Sequence, residues 1–106
     1  MTERSASAAA VLWQTWQQRA RIDELPPECR PRDRADGYAA QRELVRFSGQ
    51  DVVGWKIAAT SLAGQRHIAV DGPLAGRLLQ EMVHPEGATI ALGANRMRVA
   101  EARRSP

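Results

Sequence analysis

Three prolines between positions 26 and 31 constrain this chain more than any other feature: Pro26, Pro27 and Pro31. Each lacks a backbone donor and fixes φ, and each steers its predecessor away from helical geometry. No helix therefore runs through residues 23–31, and this connector divides the first half of the chain into two separate elements. Upstream, Ser5 or Ser7 can cap a helix over residues 5–21; Ala6 and Ala8 to Ala10 favour it, and Leu12, Trp13 and Trp16 fall on one side of it. The two tryptophans are expected to anchor the core. Downstream, Asp33 offers an N-cap for a second helix reaching Phe47, with Tyr38, Gln41, Leu44 and Val45 at helical spacing and Ser48-Gly49 as the stop.

Beyond Gly49 the pattern changes from helical to extended. Val52-Val53-Gly54-Trp55-Lys56-Ile57 is β-branched and aromatic and runs into an Ala59-Thr60-Ser61 turn, which predicts a strand. Further short strands are expected at Thr89 to Leu92 and Arg96 to Ala100, separated by Gly72-Pro73, Gly76, Pro85, Gly87 and Gly93. Residues 74–83 fit a helix or an extended segment, and periodicity does not arbitrate. The layout is α+β, two helices followed by short strands, without an internal repeat. It divides into a helical region over 1–49 and the start of a β-rich region over 50–106. The last segment stops at Pro106 with no further strand to pair with it, so the expectation is that the chain is cut short.

Composition narrows the class. With 43% hydrophobic and 25% charged residues the chain has the apolar content of a folded domain rather than a disordered one. At 106 residues it buries only about 60–70% of the surface of its unfolded form, so its core should be thin. The longest apolar run, Ala8 to Trp13, falls far short of the roughly 20 residues that span a bilayer. The N-terminus lacks the h-region of an export signal, and a cytoplasmic location is expected. Cys29 is the single cysteine, which excludes an internal disulfide and a CxxC metal site; in its proline-rich setting it reads as a bystander. His67 and His84 are isolated, without HxH or HExxH spacing. A net charge of +3 invites a nucleic-acid reading, yet the basic residues interleave with acidic ones, as in Arg30, Arg32, Asp33, Arg34 and Asp36. Only Arg96, Arg98, Arg103 and Arg104 are locally basic, so no nucleic-acid partner is expected.

Of the fifteen basic residues fourteen are arginine, and Lys56 is the sole lysine. It lies mid-strand between apolar neighbours and is followed by the hydroxyls of Thr60 and Ser61. A partly desolvated ammonium needs an anion, supplied by a protein carboxylate or by an acidic ligand. On the residues alone, a structural salt bridge or a lysine snorkelling to the surface is the preferred account. No glycine-rich phosphate loop is present.

The block Gly54-Trp55-Lys56-Ile57-Ala58-Ala59-Thr60-Ser61, preceded by Asp36-Gly37-Tyr38-Ala39-Ala40-Gln41 and the proline connector, resembles the N-terminal part of the 2-keto-4-pentenoate hydratases. These belong to the fumarylacetoacetate hydrolase superfamily together with the 4-oxalocrotonate decarboxylases. Val70-Asp71-Gly72-Pro73-Leu74-Ala75-Gly76 and Gly93-Ala94-Asn95-Arg96 to Glu101 fit in order and spacing, so the similarity spans residues 10–101.

The resemblance implies an incomplete part of a fumarylacetoacetate-hydrolase-like fold and metal-assisted chemistry on a small 2-oxo acid. The family adds water to 2-hydroxypenta-2,4-dienoate, and carboxylates hold Mg²⁺ or Mn²⁺, a hard cation that stabilises enolate charge. Lys56 matches the family's active-site lysine, which would hold the anionic substrate, with Thr60 and Ser61 at the border of the same pocket. Glu101 matches the first glutamate of a metal-binding Glu-x-Glu pair, but Arg103 occupies the second position. A cation there repels a metal, so this chain by itself is not expected to bind one tightly. The expectation is a truncated hydratase, inactive alone. A decarboxylase is the neighbouring alternative, and a non-catalytic remnant or association module, which admits a homo-oligomer, is the alternative from another class.

Overall fold

The computed structural model describes residues 2–93 and 95–102. The described residues form an α+β arrangement of three α-helices and a two-stranded antiparallel sheet. Helix α1 spans Glu3–Gln17 and starts where Thr2 Oγ1 accepts a hydrogen bond from the Ser5 amide at 3.1 Å. It ends short of residue 21 because the chain turns left-handed at Arg19, with φ at 51°. Helix α2, Arg34–Ser48, has the expected signals at both ends: the Asp33 carboxylate accepts from the Asp36 amide at 2.8 Å, and Gly49 closes it at φ 66°. Glycine enters that left-handed region without the Cβ clash that penalises other residues.

The two helices meet through small side chains. Ala8 and Ala9 of α1 and Ala40 of α2 are buried, and together with Cys29 and the partly buried Leu25 most of them make up the helical core. Cys29 belongs to a 3₁₀ turn over Pro27–Cys29, its thiol donating to the Pro26 carbonyl at 3.5 Å. Arg4 ties α1 to this connector by donating to the Arg30 carbonyl at 2.9 Å. The tryptophans are not the core anchors that the sequence predicts. Trp16 is 46% exposed and Trp13 half-buried, their rings 6.5 Å apart on the outer flank of α1. Contact through alanine draws the helices close, and that seam has no room for an indole.

Strand β1, Val52–Ala58, pairs antiparallel with β2, Leu74–Leu79, in a register that sets Trp55 against Arg77 and Lys56 against Gly76. The open question over residues 74–83 resolves as a strand followed by a 3₁₀ turn, Gln80–Met82. A short helix not anticipated from the sequence, α3 (Leu62–His67), follows the Ala59-Thr60-Ser61 turn, and Ser61 caps it. The strands expected at 89–92 and 96–100 do not form among the described residues; Ile90, Leu92, Met97 and Val99 are all at least half exposed. On the β2 side of the sheet, α2 closes the outer edge. Tyr38 Oη accepts from the Ala75 amide at 3.0 Å, Gln41 Nε2 donates to the Ala75 carbonyl at 3.2 Å, and Gln41 Oε1 accepts from the Arg77 amide at 2.8 Å. Two side chains thus act as a substitute strand. No helix among the described residues is long and apolar enough to cross a membrane.

Candidate functional site

Lys56 projects from β1 with 49% of its side chain exposed. Its Nζ lies 4.0 Å from Glu101 Oε2 and donates weakly to the Ile57 carbonyl at 3.4 Å. Two residues far apart in the chain are thereby brought together. The ammonium has found a carboxylate, although both groups remain open to water, where such a pair is worth at most about 1 kcal/mol.

Thr60 and Ser61 follow β1 past a strained junction. Ala59 takes φ 57°, a left-handed geometry that places Cβ against the following carbonyl and costs roughly 1–2 kcal/mol in an L-residue. Such strain concentrates where a chain is held for function. Ser61 Oγ accepts from the Gly64 amide at 3.0 Å, so its first task is to cap α3; its hydroxyl proton is left to donate elsewhere. Thr60 is exposed beside it.

A magnesium or manganese ion at Glu101 requires further oxygen ligands. Among the described residues no group of three or more His, Cys, Asp or Glu stands close enough to hold a metal, and the nearest charge described for Glu101 is the Lys56 ammonium. The donor set described around Glu101 does not by itself fit the ion. Arg103, the residue set against metal binding in the sequence, lies outside the described residues, as do Arg104, Ser105 and Pro106.

A second constellation went unnoticed in the sequence. A cleft of about 940 Å³ opens between the first half of α2 and the loop leading into β2, lined by residues that include Arg34, Tyr38, Gln41, Val70, Asp71 and Leu74. Arg34 donates to Asp71 Oδ1 at 2.5 Å and to the Pro73 carbonyl at 2.7 Å, clasping the loop to the start of α2. The hydrogen bond from Arg34 holds the Asp71 carboxyl below its ordinary range. Asp36 is lowered likewise, first by the side-chain hydrogen bond from Arg32, which stands 2.9 Å away. Only the charge alternation around residues 30–36 hinted at these pairs, and nothing in the sequence named Asp71 as the partner.

Cys29 is buried at 3% exposure, and His67 and His84 are exposed and widely separated in the chain, so none of the three joins Lys56 in a nucleophilic or metal-binding arrangement here. Comparison of the chain with family profiles and with curated proteins found no match.

Proposed function

We propose that the chain carries the anion-gripping part of a hydratase of the 2-keto-4-pentenoate type, which adds water to 2-hydroxypenta-2,4-dienoate. The meeting of Lys56 with Glu101 at 4.0 Å carries this proposal. Lys56 is the only lysine, stands half in solvent, and is occupied by a carboxylate that a substrate carboxylate of the same charge and shape can replace. In that exchange the lysine holds the substrate's acid group, the Thr60 and Ser61 hydroxyls flank it, and Glu101 is released beside it as a carboxylate able to take or return a proton. Decarboxylation of 4-oxalocrotonate uses the same grip, and no residue described here separates the two substrates.

The test is a titration of the full chain with 2-oxopentanoate, a stable 2-oxo acid, followed by NMR shifts of the Lys56 region. Saturable binding is expected. It should weaken in Lys56→Ala and strengthen in Glu101→Gln, which removes the internal competitor; binding unchanged in Lys56→Ala would overturn the proposal. Incubation with the dienol and Mg²⁺, read as loss of conjugated absorbance, tests the reaction separately, and a rate no better than buffer would remove hydration from this chain.

A second reading, a non-catalytic association module, is favoured by one feature. Val53, Trp55 and Ile57 of β1 are 51%, 52% and 41% exposed, and the Arg77 guanidinium lies 4.9 Å above the Trp55 ring. Sedimentation of the purified chain distinguishes a monomer, which argues against this reading, from a self-associating species.

A further inference from the structure

Four arginines from two segments remote in sequence converge on one concavity. Arg19 and Arg21 follow α1, while Arg96 and Arg98 lie in the loop near the C-terminus. Arg21, Gly93, Asn95, Arg96 and Arg98 line a hollow of about 560 Å³. A Cβ on Gly93 would stand 4.0 Å from Arg19 Nη1, which sets a fourth guanidinium at the rim; Gly93 itself takes φ 54°. None of the residues of the Lys56 site takes part in this lining.

The loop is built rather than loose at this point. Asn95 Oδ1 accepts from the amides of Met97 at 3.0 Å and Arg98 at 3.2 Å, and the Asn95 amide donates to the Leu92 carbonyl at 2.9 Å. Asparagine thereby fixes the backbone on which Arg96 and Arg98 stand. Arg19, Arg21, Arg96 and Arg98 form no salt bridge among the described residues, as is true of Arg4, Arg42, Arg66 and Arg77; what sets the four apart is that they gather at one hollow. Like charges gathered without a counter-ion repel, and a multiply charged anion seated among them turns that repulsion into attraction. A guanidinium also presents a planar fork of donors that matches the oxygens of a phosphate.

We propose that this concavity binds the phosphate group of a small phosphorylated molecule. A hollow is the shape for a compact anion, and among the described residues its lining offers no aromatic ring on which a nucleobase could stack, which favours a small phosphate over a nucleic-acid strand.

Calorimetric titration of the full chain with inorganic pyrophosphate and inorganic phosphate, at low and matched ionic strength, tests the proposal. Pyrophosphate is expected to saturate the chain at one site and more tightly than phosphate. Arg21→Gln and Arg98→Gln should each weaken it about tenfold, the size of one charge-assisted hydrogen bond. Arg42→Gln, on the exposed side of α2, should leave it unchanged. A parallel reading needs no variant: pyrophosphate should protect the Arg21 and Arg98 peptides of the wild-type chain from phenylglyoxal, scored by mass spectrometry. Absence of saturation, equal weakening by Arg42→Gln, or lack of protection would overturn the proposal. So would a single-stranded oligonucleotide that saturates the chain where pyrophosphate does not.

Discussion

Replacing Glu43 by methionine removes a carboxylate from the most buried stretch of α2. Glu43 is 1% exposed and shares the buried face of that helix with Ala40. Neither of its oxygens accepts a hydrogen bond. Arg46 Nη2 lies 3.1 Å from Oε2, close enough for charge attraction but without the alignment of a hydrogen bond, and the arginine side chain is 65% exposed. A helical pair whose cation stands in solvent contributes about 0.3–0.5 kcal/mol. A buried acceptor left unsatisfied costs about 1–3 kcal/mol, more when charged. The penalty therefore exceeds the gain, and methionine, similar in length and adaptable in shape, should stabilise the fold by about 1–3 kcal/mol. In a domain of this size each kcal/mol moves Tm by roughly 4–8 °C, so Glu43→Met should melt several degrees above the parent when followed by circular dichroism. Arg46→Ala should move the other way, since it leaves the carboxylate with no compensating charge. A Glu43→Met variant that melts below the parent would refute the reasoning and would mean that the carboxylate is satisfied in solution by water or by a partner.

Gln41→Ala opens the closed edge of β2: it removes hydrogen bonds to the Ala75 carbonyl and the Arg77 amide, which should cost about 1–3 kcal/mol and speed hydrogen exchange at the Arg77 amide. Unchanged exchange there would show that the edge does not depend on this side chain. Gly49→Ala forces a Cβ into φ 66° and should cost about 1–2 kcal/mol in urea denaturation. Asp36 and Asp71 both have carboxyl pKa values lowered by their arginine partners. A carboxyl depressed in the folded state supports stability above its unfolded value of about 3.9, and that support is lost as pH falls through the lower folded value. Acid titration of the Asp36→Asn, Asp71→Asn double variant should accordingly show a shallower loss of stability below about pH 4 than the parent; an equally steep loss would exclude these pairs as its source.

Much of the helical half was legible from local chemistry. Asp33 and Gly49 set the ends of α2 by hydrogen bonds and backbone geometry that involve only neighbouring residues. The start of β1 at Val52 likewise follows from its β-branched run. Where the sequence misled, a competing packing choice had won. Alanine contacts displaced Trp13 and Trp16 from the core, and the side chains of Tyr38 and Gln41, not a further strand, took the outer edge of β2. Helix α3 was missed because Ala59-Thr60-Ser61 reads as a turn whether or not a helix follows it. At the candidate site, Lys56 stood out as the lone lysine of an arginine-rich chain, but its distance from Glu101 had no local signature.

By itself the sequence determined where elements begin and end: prolines that lack a donor, a capping aspartate, a glycine suited to positive φ, and a β-branched run each act within a few residues of where they stand. The tertiary structure alone decided what those elements brought together. The Lys56–Glu101 pair, the Arg34–Asp71 clasp, the buried Glu43 and the arginine-lined hollow join groups whose proximity depends on the path of the intervening chain. Electrostatic attraction and burial act through space, and only the folded path sets those separations.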